Sequence, residues 1–301
     1  MTVTFLGLPS GDAADAADAT ILGIPHGVPY PAPGLTAGCA AAPAAVRARS
    51  ARLARFVGHH DFDLDGPMLP ASSSFRVIDA GDVAGDPDDG AGNAARAEEA
   101  VRAVVGAGSV PIVLGGDDSI PIPVLRAFDG VDGLQVLQVD AHLDFRDTVA
   151  GIRDGYSSPM RRASEMDHVA RIVQVGLRGV GSARTGDVAD ARAAGNLLVT
   201  ARELRERGTG WLVEQLPVDG PLFVAFDCDA LDPSVMAAVS GLSPGGLGYE
   251  EAADLLTGAA ARCRVVGAAF TELVPERDVN ERSALVVVRL VTLLLAGLAR
   301  R

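Results

Sequence analysis

Cysteine is scarce in this chain of 301 residues, which contains only three. Cys39, Cys228 and Cys263 lie far apart, and no two of them form a CxxC pair. An odd number of widely separated cysteines argues against a disulfide framework and against a zinc knuckle. We therefore expect the protein to work in a reducing compartment, the cytoplasm.

Positive charge is also in short supply, because 26 basic residues stand against 39 acidic ones and the formal net charge is −13. A surface of this sign repels phosphate groups, which argues against binding to nucleic acid or to an anionic membrane. Small or cationic partners fit this charge better.

Long hydrophobic runs are missing except near the C-terminus. Residues 284–299 are strongly apolar, but they include Arg289 and are fewer than the ~20 residues that a bilayer crossing needs. This segment predicts a buried final helix. Residues 1–10 contain no basic region followed by an apolar stretch and a cleavage site, so we expect no secretion signal.

Short apolar runs rich in β-branched residues recur along the chain and predict strands. They lie at 19–25, 75–79, 110–114, 134–139, 171–177, 197–200, 221–226 and 264–270. Stretches with helical spacing lie between most of them, at 92–107, 119–128, 183–194, 201–215 and 249–262. The alternation predicts one α/β domain over residues 1–301, a three-layer α/β/α fold with an about eight-stranded, mainly parallel sheet. The Pro- and Gly-rich stretches 25–43 and 84–93 predict loops.

Ligands of such sheets bind beyond the carboxyl ends of the strands, so the residues that follow each run are informative. The run 110–114 leads into Gly115-Gly116-Asp117-Asp118-Ser119. A phosphate-binding loop does not fit, because no lysine follows the glycines and two aspartates would repel phosphate. Asp117, like Asp232 further on, is interpreted as a turn or helix-capping residue.

Acidic residues follow two other predicted strands at alternate positions, as Asp140-Ala141-His142-Leu143-Asp144 and as Asp227-Cys228-Asp229. Alternate residues of an extended chain project to the same side, so the acids should converge while Cys228 points away into the core. Carboxylates buried so close together cannot all remain ionised without cations. Carboxylates combined with an imidazole therefore predict a site for a divalent metal.

Taken in this order, the motifs resemble those of the ureohydrolases, the arginase and agmatinase family, whose pattern is GGDHS, DAHxD, SxDxD with a following DP, and a late VExxP-type glutamate. Similar segments extend over nearly the whole chain, at 22–25, 42–47, 173–178 and 270–275. The resemblance implies an arginase-like fold, two divalent metal ions that are usually Mn²⁺, and hydrolysis of a guanidino or amidino C–N bond in a small cationic substrate. It also implies a homo-oligomer, a trimer or a hexamer.

The resemblance implies a role for each site residue. One metal ion would be held by Asp118, Asp140, Asp144 and Asp227, and the other by Asp140, His142, Asp227 and Asp229. In catalysis, Asp229 or Asp144 would accept hydrogen bonds from a tetrahedral intermediate. Glu272 would bind the guanidinium group of the substrate, since a carboxylate pairs with a planar fork of N–H donors.

Three positions depart from the family pattern. Asp118 stands where relatives have histidine, and residues 237–242 read AAVSGL where relatives read PGTGTP. The segment 155–162 lacks the histidine that relatives use in proton transfer, which leaves Tyr156 or Ser157 to take its place beside the substrate.

Three activities consequently stay open. The first is an agmatinase-like hydrolase that releases urea and an amine. The second is a hydrolase of a related formimino, amidino or guanidino-acid substrate, and the third is a metal-binding homologue without catalysis. The nearly complete ligand set argues against the third, because a dense acidic cluster is costly to fold without metals.

The additional aspartate predicts an alkaline pH optimum. Five carboxylates contribute −5 against +4 from two divalent ions, whereas a histidine at position 118 would leave −4. The surplus negative charge makes a water shared by the metals harder to deprotonate. A pH profile of turnover, with metal occupancy measured at each pH, tests this. Full activity of the metal-loaded protein in weakly acidic buffer would contradict it.

Overall fold

The computed structural model of the chain describes residues 3–28, 30, 36–69 and 73–301. Each of the eight predicted apolar runs forms a strand. The strands are β1 (Ala19–Ile24), β2 (Val77–Asp82), β3 (Val110–Gly115), β4 (Leu134–Val139), β5 (Val169–Leu177), β6 (Leu197–Thr200), β7 (Pro221–Asp227) and β8 (Arg264–Thr271). They form one sheet in the order β2-β1-β3-β8-β7-β4-β5-β6, and every neighbouring pair is parallel.

Helices connect the strands and cover both faces of the sheet. They are α1 (Ala42–Ser50), α2 (Gly90–Gly106), α3 (Pro121–Arg126), α4 (Pro159–Ala163), α5 (Thr185–Ala193), α6 (Ala201–Arg207), α7 (Thr209–Glu214), α8 (Tyr249–Arg262) and α9 (Arg282–Ala299). The predicted three-layer α/β/α fold with a parallel sheet is therefore confirmed.

The hydrophobic core is split by the sheet into two clusters. Ile112 and Leu114 of β3 belong to one cluster together with residues of α8 and α9, whereas Val113 between them belongs to the other cluster with residues of α2 and α3. This alternation follows from the period of two along a strand. Because both faces are covered, the strands are mostly apolar, which explains why short apolar runs identified them.

The final helix is mostly buried, as the apolar segment 284–299 predicted. By length and composition alone α9 could cross a membrane. However, 61% of this 18-residue helix is buried within the protein, where it packs against α1 and α8. Arg289, the charge inside this helix, forms ion pairs with Asp61 at 2.5 Å and Asp63 at 2.7 Å. These pairs anchor the segment that follows α1 to the last helix.

Several predicted boundaries are wrong for local reasons. The single helix predicted over 201–215 is two helices, because Gly208 adopts a φ of +85° and interrupts the helical backbone. In the predicted loop 25–43, residues 29 and 31–35 lie outside the described residues, while Ala37–Ala41 form a 3₁₀ turn and α1 begins at Ala42. The predicted loop 84–93 ends earlier, since Asp89 caps α2 by accepting a hydrogen bond from the backbone N–H of Gly92.

The sheet order determines where the acidic motifs meet. β3, β8, β7 and β4 are adjacent at the centre of the sheet, and their chains leave it at the same edge. The GGDDS segment, Glu272, the Asp227 motif and the Asp140 motif follow these four strands. Residues that are more than 150 positions apart in sequence, such as Asp118 and Thr271, thereby come into hydrogen-bond contact.

Candidate metal centre

Asp118 is brought to the centre by a tight turn at the end of β3. A side chain at Gly116 would place its Cβ 2.2 Å from the carbonyl oxygen of Pro25, so only glycine fits there. After the turn, Asp118 is buried, and its Oδ1 accepts a hydrogen bond of 2.6 Å from the hydroxyl of Thr271. The neighbouring strand β8 therefore holds this carboxylate in place.

Asp140 and Asp144 converge because the chain curls back after β4. Asp144 adopts a left-handed φ of +46°, a conformation that aspartate tolerates better than most residues. Its carbonyl oxygen accepts hydrogen bonds from the backbone N–H groups of Met160 and Arg161 at the start of α4. Both carboxylates are buried and accept hydrogen bonds from the amide of Gln138, at 2.7 and 3.0 Å.

His142 lies between two carboxylates. Its Nδ1 is 3.0 Å from Oδ2 of Asp229 and 3.5 Å from Oδ1 of Asp140. The ring packs against Gly181, where a Cβ would lie 2.4 Å from the imidazole Cδ2. The backbone of residue 181 therefore keeps Nδ1 directed towards the acids.

Asp227 lies at the end of β7 beside this group. Its Oδ1 accepts a hydrogen bond of 2.7 Å from the backbone N–H of Asp229, and its carboxylate lines the same cavity as Asp118 and Asp144. Cys228, between the two aspartates, is buried in the hydrophobic core as predicted, but residues Cys228–Ala230 form a 3₁₀ turn where an extended chain was predicted.

The potential ligand atoms form two groups, each with its atoms within 4.8 Å of one another. One group is Asp118, Asp140 and Asp144, and the other is Asp140, His142 and Asp229. Asp140 belongs to both, which is the arrangement that the family resemblance implies for a bridging ligand. The structure thus brings all six predicted metal ligands to one place, with Asp227 beside the two groups.

The electrostatics of the cluster suit divalent cations. Burial and the neighbouring carboxylates raise the pKa values of Asp118, Asp144, Asp227 and Asp229, because these charges repel one another away from water. Hydrogen bonding to Asp140 and Asp229 raises the pKa of His142 to about 11, since its protonated form relieves the repulsion. Hard carboxylate oxygens and one imidazole form a donor set that fits Mn²⁺ and similar ions.

Glu272 shares the cavity with these acids. Its φ is +66°, and its Oε1 accepts a hydrogen bond of 3.0 Å from the backbone N–H of Asp118. Its Oε2 lies 3.7 Å from the thiol of Cys39, and the hydroxyl of Ser240 lies 3.6 Å from the same sulfur. Burial, with a smaller contribution from Asp117, raises the pKa of Glu272 to about 8. Burial likewise raises the pKa of Cys39, so the thiol stays protonated and acts as a donor.

The cavity has a volume of about 270 Å³, and side chains with hydroxyl groups line it together with the acids. The hydroxyl groups belong to Thr36, Tyr156, Ser157, Ser182 and Ser240. The ring of Tyr156 packs on Tyr30 with 4.3 Å between centroids, and the backbone N–H of Ser157 donates to the Tyr30 hydroxyl at 3.1 Å. Tyr156 and Ser157, which were predicted together with Glu272 to contact the substrate, therefore line the cavity.

Asp117 and Asp232 have the structural roles assigned to them. Asp117 is buried and accepts hydrogen bonds from the backbone N–H and the hydroxyl of Ser119. Asp232 accepts from Ser234 and from the backbone N–H groups of Gly245 and Gly246, and these hydrogen bonds lower its pKa to about 2. Both carboxylates therefore organise turns beside the site.

The sequence interpretation did not identify several residues that support the site. Gln138, Gln174, Thr271, Ser240 and Cys39 contact the acids or one another through side-chain hydrogen bonds. A signal existed for the two glutamines, since each lies in a strand predicted to be buried, and a buried amide requires partners. No comparable signal marks Ser240 or Cys39.

A parallel three-layer fold with a buried acidic cluster at the carboxyl edge of its sheet is the arrangement expected of a metal-dependent α/β enzyme. The model of the Arginase family matches residues 17–297, and the chain belongs to that family.

Individual relatives agree with this assignment. An agmatinase of Pyrococcus horikoshii is 30% identical over 279 residues, which are 92% of this chain and 90% of the relative. The structure of proclavaminate amidino hydrolase from Streptomyces clavuligerus superposes with a TM-score of 0.83 at 25% identity, covering 100% of this chain and 98% of that one. The structure of Trypanosoma cruzi formiminoglutamase with Mn²⁺ gives a TM-score of 0.80 at 26% identity, covering 99% of each chain.

The repulsion within the cluster predicts opposite effects of one substitution with and without metal. Asp227→Asn keeps the shape of the side chain but removes a charge, so the metal-free protein should gain stability, by roughly 2–6 °C in Tm. The same variant should gain less stability than the wild type when Mn²⁺ is added, because Asp227 is one of the predicted metal ligands. Thermal unfolding with a chelator and with Mn²⁺ measures both effects.

The exposed Asp132 offers a matched control, since Asp132→Asn removes the same charge from the surface. This control should leave the Tm nearly unchanged both with the chelator and with Mn²⁺. The expectation fails if Asp227→Asn destabilises the metal-free protein and leaves the gain from Mn²⁺ intact.

Proposed function

We propose that this arginase-family hydrolase is an agmatinase-like enzyme with two metal ions, which cleaves the C–N bond of a guanidino or amidino group and releases urea and an amine. The observation that carries the proposal is the buried carboxylate of Glu272, which faces the same small cavity as the acidic cluster. A cationic planar group bound to Glu272 would place its central carbon next to the metal-ligating aspartates.

The metal ions of the proposed enzyme are Mn²⁺. Asp118, Asp140 and Asp144 would hold one ion and Asp140, His142 and Asp229 the other, with Asp227 adjacent to both groups. When bound, such ions lower the pKa of water and stabilise the negative charge that develops during hydrolysis. The Mn²⁺ in the structure of the related formiminoglutamase supports this choice of metal.

Glu272 orients the substrate in this mechanism. Its Oε1 accepts from the Asp118 backbone, which fixes the plane of the carboxylate, and carboxylate oxygens have lone pairs left for a second donor. A guanidinium or amidinium group can then donate two parallel N–H bonds to it. Asp117 nearby adds negative potential, which further favours a cationic substrate over a neutral one.

Asp229 and Asp144 complete the polar surroundings of the reacting carbon. Both are buried and line the cavity on the side of the cluster, where they can accept hydrogen bonds from the N–H groups of a tetrahedral intermediate. The leaving amine must also gain a proton as the C–N bond breaks. Tyr156 and Ser157 supply hydroxyl groups at the segment where relatives have histidine.

A second candidate is a hydrolase of a formimino, amidino or guanidino-acid substrate. The observation in its favour is Ser240, which lies in the atypical segment 237–242 and places a hydroxyl beside Glu272. The structural likeness to proclavaminate amidino hydrolase and to formiminoglutamase also supports this candidate. A cytoplasmic location and assembly into a homotrimer or homohexamer remain predictions from the sequence. The third possibility from the sequence, a metal-binding homologue without catalysis, also remains a prediction.

A substrate screen distinguishes these functions. The purified protein with added Mn²⁺ is incubated with agmatine, arginine, guanidinobutyrate or formiminoglutamate, and urea and ammonia are measured separately. Urea release that is fastest from agmatine is the expected result. Preference for a guanidino acid or for formiminoglutamate would establish the second candidate, and no release from any substrate by metal-loaded protein would refute both.

Substitution of Glu272 tests its assigned role. Glu272→Gln keeps the size of the side chain and an oxygen for the Asp118 N–H, but it removes the charge that pairs with the substrate. Losing one partner of a buried charged pair predicts a fall of about 100-fold or more in kcat/KM. Steady-state kinetics measure this, and metal analysis should show that Mn²⁺ is retained.

Glu276→Gln serves as the control, because Glu276 lies exposed in the 3₁₀ turn that follows Glu272 and is not among the residues that line the cavity. It should leave kcat/KM unchanged. Wild-type kinetics in Glu272→Gln would exclude Glu272 from substrate binding.

A further inference from the structure

Three buried amide side chains form a continuous line of hydrogen bonds that ends on the acidic cluster. Nδ2 of Asn196 donates to Oε1 of Gln174 at 2.9 Å, and Nε2 of Gln174 donates to Oε1 of Gln138 at 2.6 Å. Nε2 of Gln138 donates to Oδ2 of Asp140 at 2.7 Å and to Oδ2 of Asp144 at 3.0 Å. We call this line the amide chain.

The sheet itself builds the amide chain. Gln138 on β4 and Gln174 on β5 are directly paired in the parallel register of the two strands, so their side chains project side by side. Asn196 precedes β6, which is the next strand in the sheet. The exposed fractions are 1% for Gln138, 0% for Gln174 and 9% for Asn196, so water does not compete for these hydrogen bonds.

The contacts fix which end of each amide donates. Gln174 also donates through Nε2 to the backbone carbonyl oxygen of Leu143 at 2.7 Å, and a carbonyl oxygen can only accept. The amide oxygen of Gln174 must therefore face Asn196, and the atom of Gln138 that faces Gln174 must be an oxygen. Both N–H bonds of Gln138 are then directed at the two carboxylates.

Gln138 uses its two N–H bonds to hold two like charges side by side. Asp140 and Asp144 repel each other, and Asp144 adopts a left-handed backbone conformation to reach its neighbour. An amide can bridge them without adding charge, whereas an arginine or lysine in its place would neutralise them and compete with a metal ion. The remaining lone pairs of both carboxylates stay available to a cation.

We propose that Gln138, oriented by Gln174 and Asn196, is a positioning residue that pre-arranges Asp140 and Asp144 to bind a metal ion. The inference rests on the proposed metal centre and deepens it. Partners of metal ligands that orient them in this way typically contribute 10–100-fold to metal affinity. No part of the amide chain touches the cavity where the substrate would bind.

Calorimetric titration of Mn²⁺ into the metal-free protein tests the proposal without using turnover. Gln138→Leu keeps a side chain of similar size but removes both hydrogen bonds, and it should weaken Mn²⁺ binding by roughly 10–100-fold. Gln135→Leu is the matched control, because Gln135 lies on the same strand and its Oε1 is without a partner among the described residues. This control should bind Mn²⁺ as the wild type does.

Asn196→Ala tests the far end of the amide chain and serves if Gln138→Leu does not fold. Asn196 touches neither carboxylate, yet its substitution should weaken Mn²⁺ binding by a smaller factor, since Gln174 loses one of the two groups that orient it and keeps only the Leu143 carbonyl oxygen. In the double variant, Gln138→Leu with Asn196→Ala, the loss should equal that of Gln138→Leu alone, because the two residues act in series.

Unchanged Mn²⁺ affinity in Gln138→Leu, or in Asn196→Ala where only that variant folds, would overturn the proposal even if thermal stability fell. A wild type that binds no divalent metal would overturn both this proposal and the proposed function. A wild type that binds Mn²⁺ but hydrolyses no guanidino or amidino substrate would refute the proposed function alone, and loss of affinity in Gln138→Leu would still support the amide chain.

Discussion

Mutual repulsion among buried carboxylates is the constraint on which the rest of this structure depends. Asp118, Asp140, Asp144, Asp227 and Asp229 are gathered in a space where water cannot screen them, and burial raises the pKa of four of them. Only a rigid scaffold can hold such a cluster ready for cations. The parallel sheet, which is covered on both faces, supplies that scaffold. Four of its adjacent strands end at the same edge, and the apolar layers on both faces fix the spacing of the strands and of the acids that follow them.

Much of this arrangement could be predicted from the sequence because the relevant physics is local. A strand buried on both faces must be apolar along its length, so eight short runs located eight strands. Alternation along an extended chain predicted that Asp227 and Asp229 lie opposite Cys228, and Cys228 is indeed in the core, although residues 228–230 form a 3₁₀ turn and not a continuation of the strand. The break at Gly208 was not predicted, because an isolated glycine is tolerated in helices and only its positive φ shows that the helix ends there.

Other features depend on strand register and could not be predicted. Gln138 and Gln174 looked like isolated polar residues in apolar strands, and only the pairing of β4 with β5 shows that they meet. Glu272 and Cys39 are 233 positions apart, and no periodicity relates them. The family motif identified Glu272, but its hydrogen bond to the Asp118 backbone and the neighbouring Ser240 hydroxyl emerged from the fold.

The division between strand ends and loops has a consequence for how such a protein can change. The acids and their amide support are tied to strands and to the backbone that follows them directly, whereas Tyr156, Ser157, Ser182 and Ser240 lie on the connecting segments around the cavity. Replacements in those segments can reshape the entrance without altering the spacing of the carboxylates. The metal centre and the substrate specificity therefore depend on different parts of one scaffold. Sequence changes in the loops can alter the specificity while the metal centre is kept.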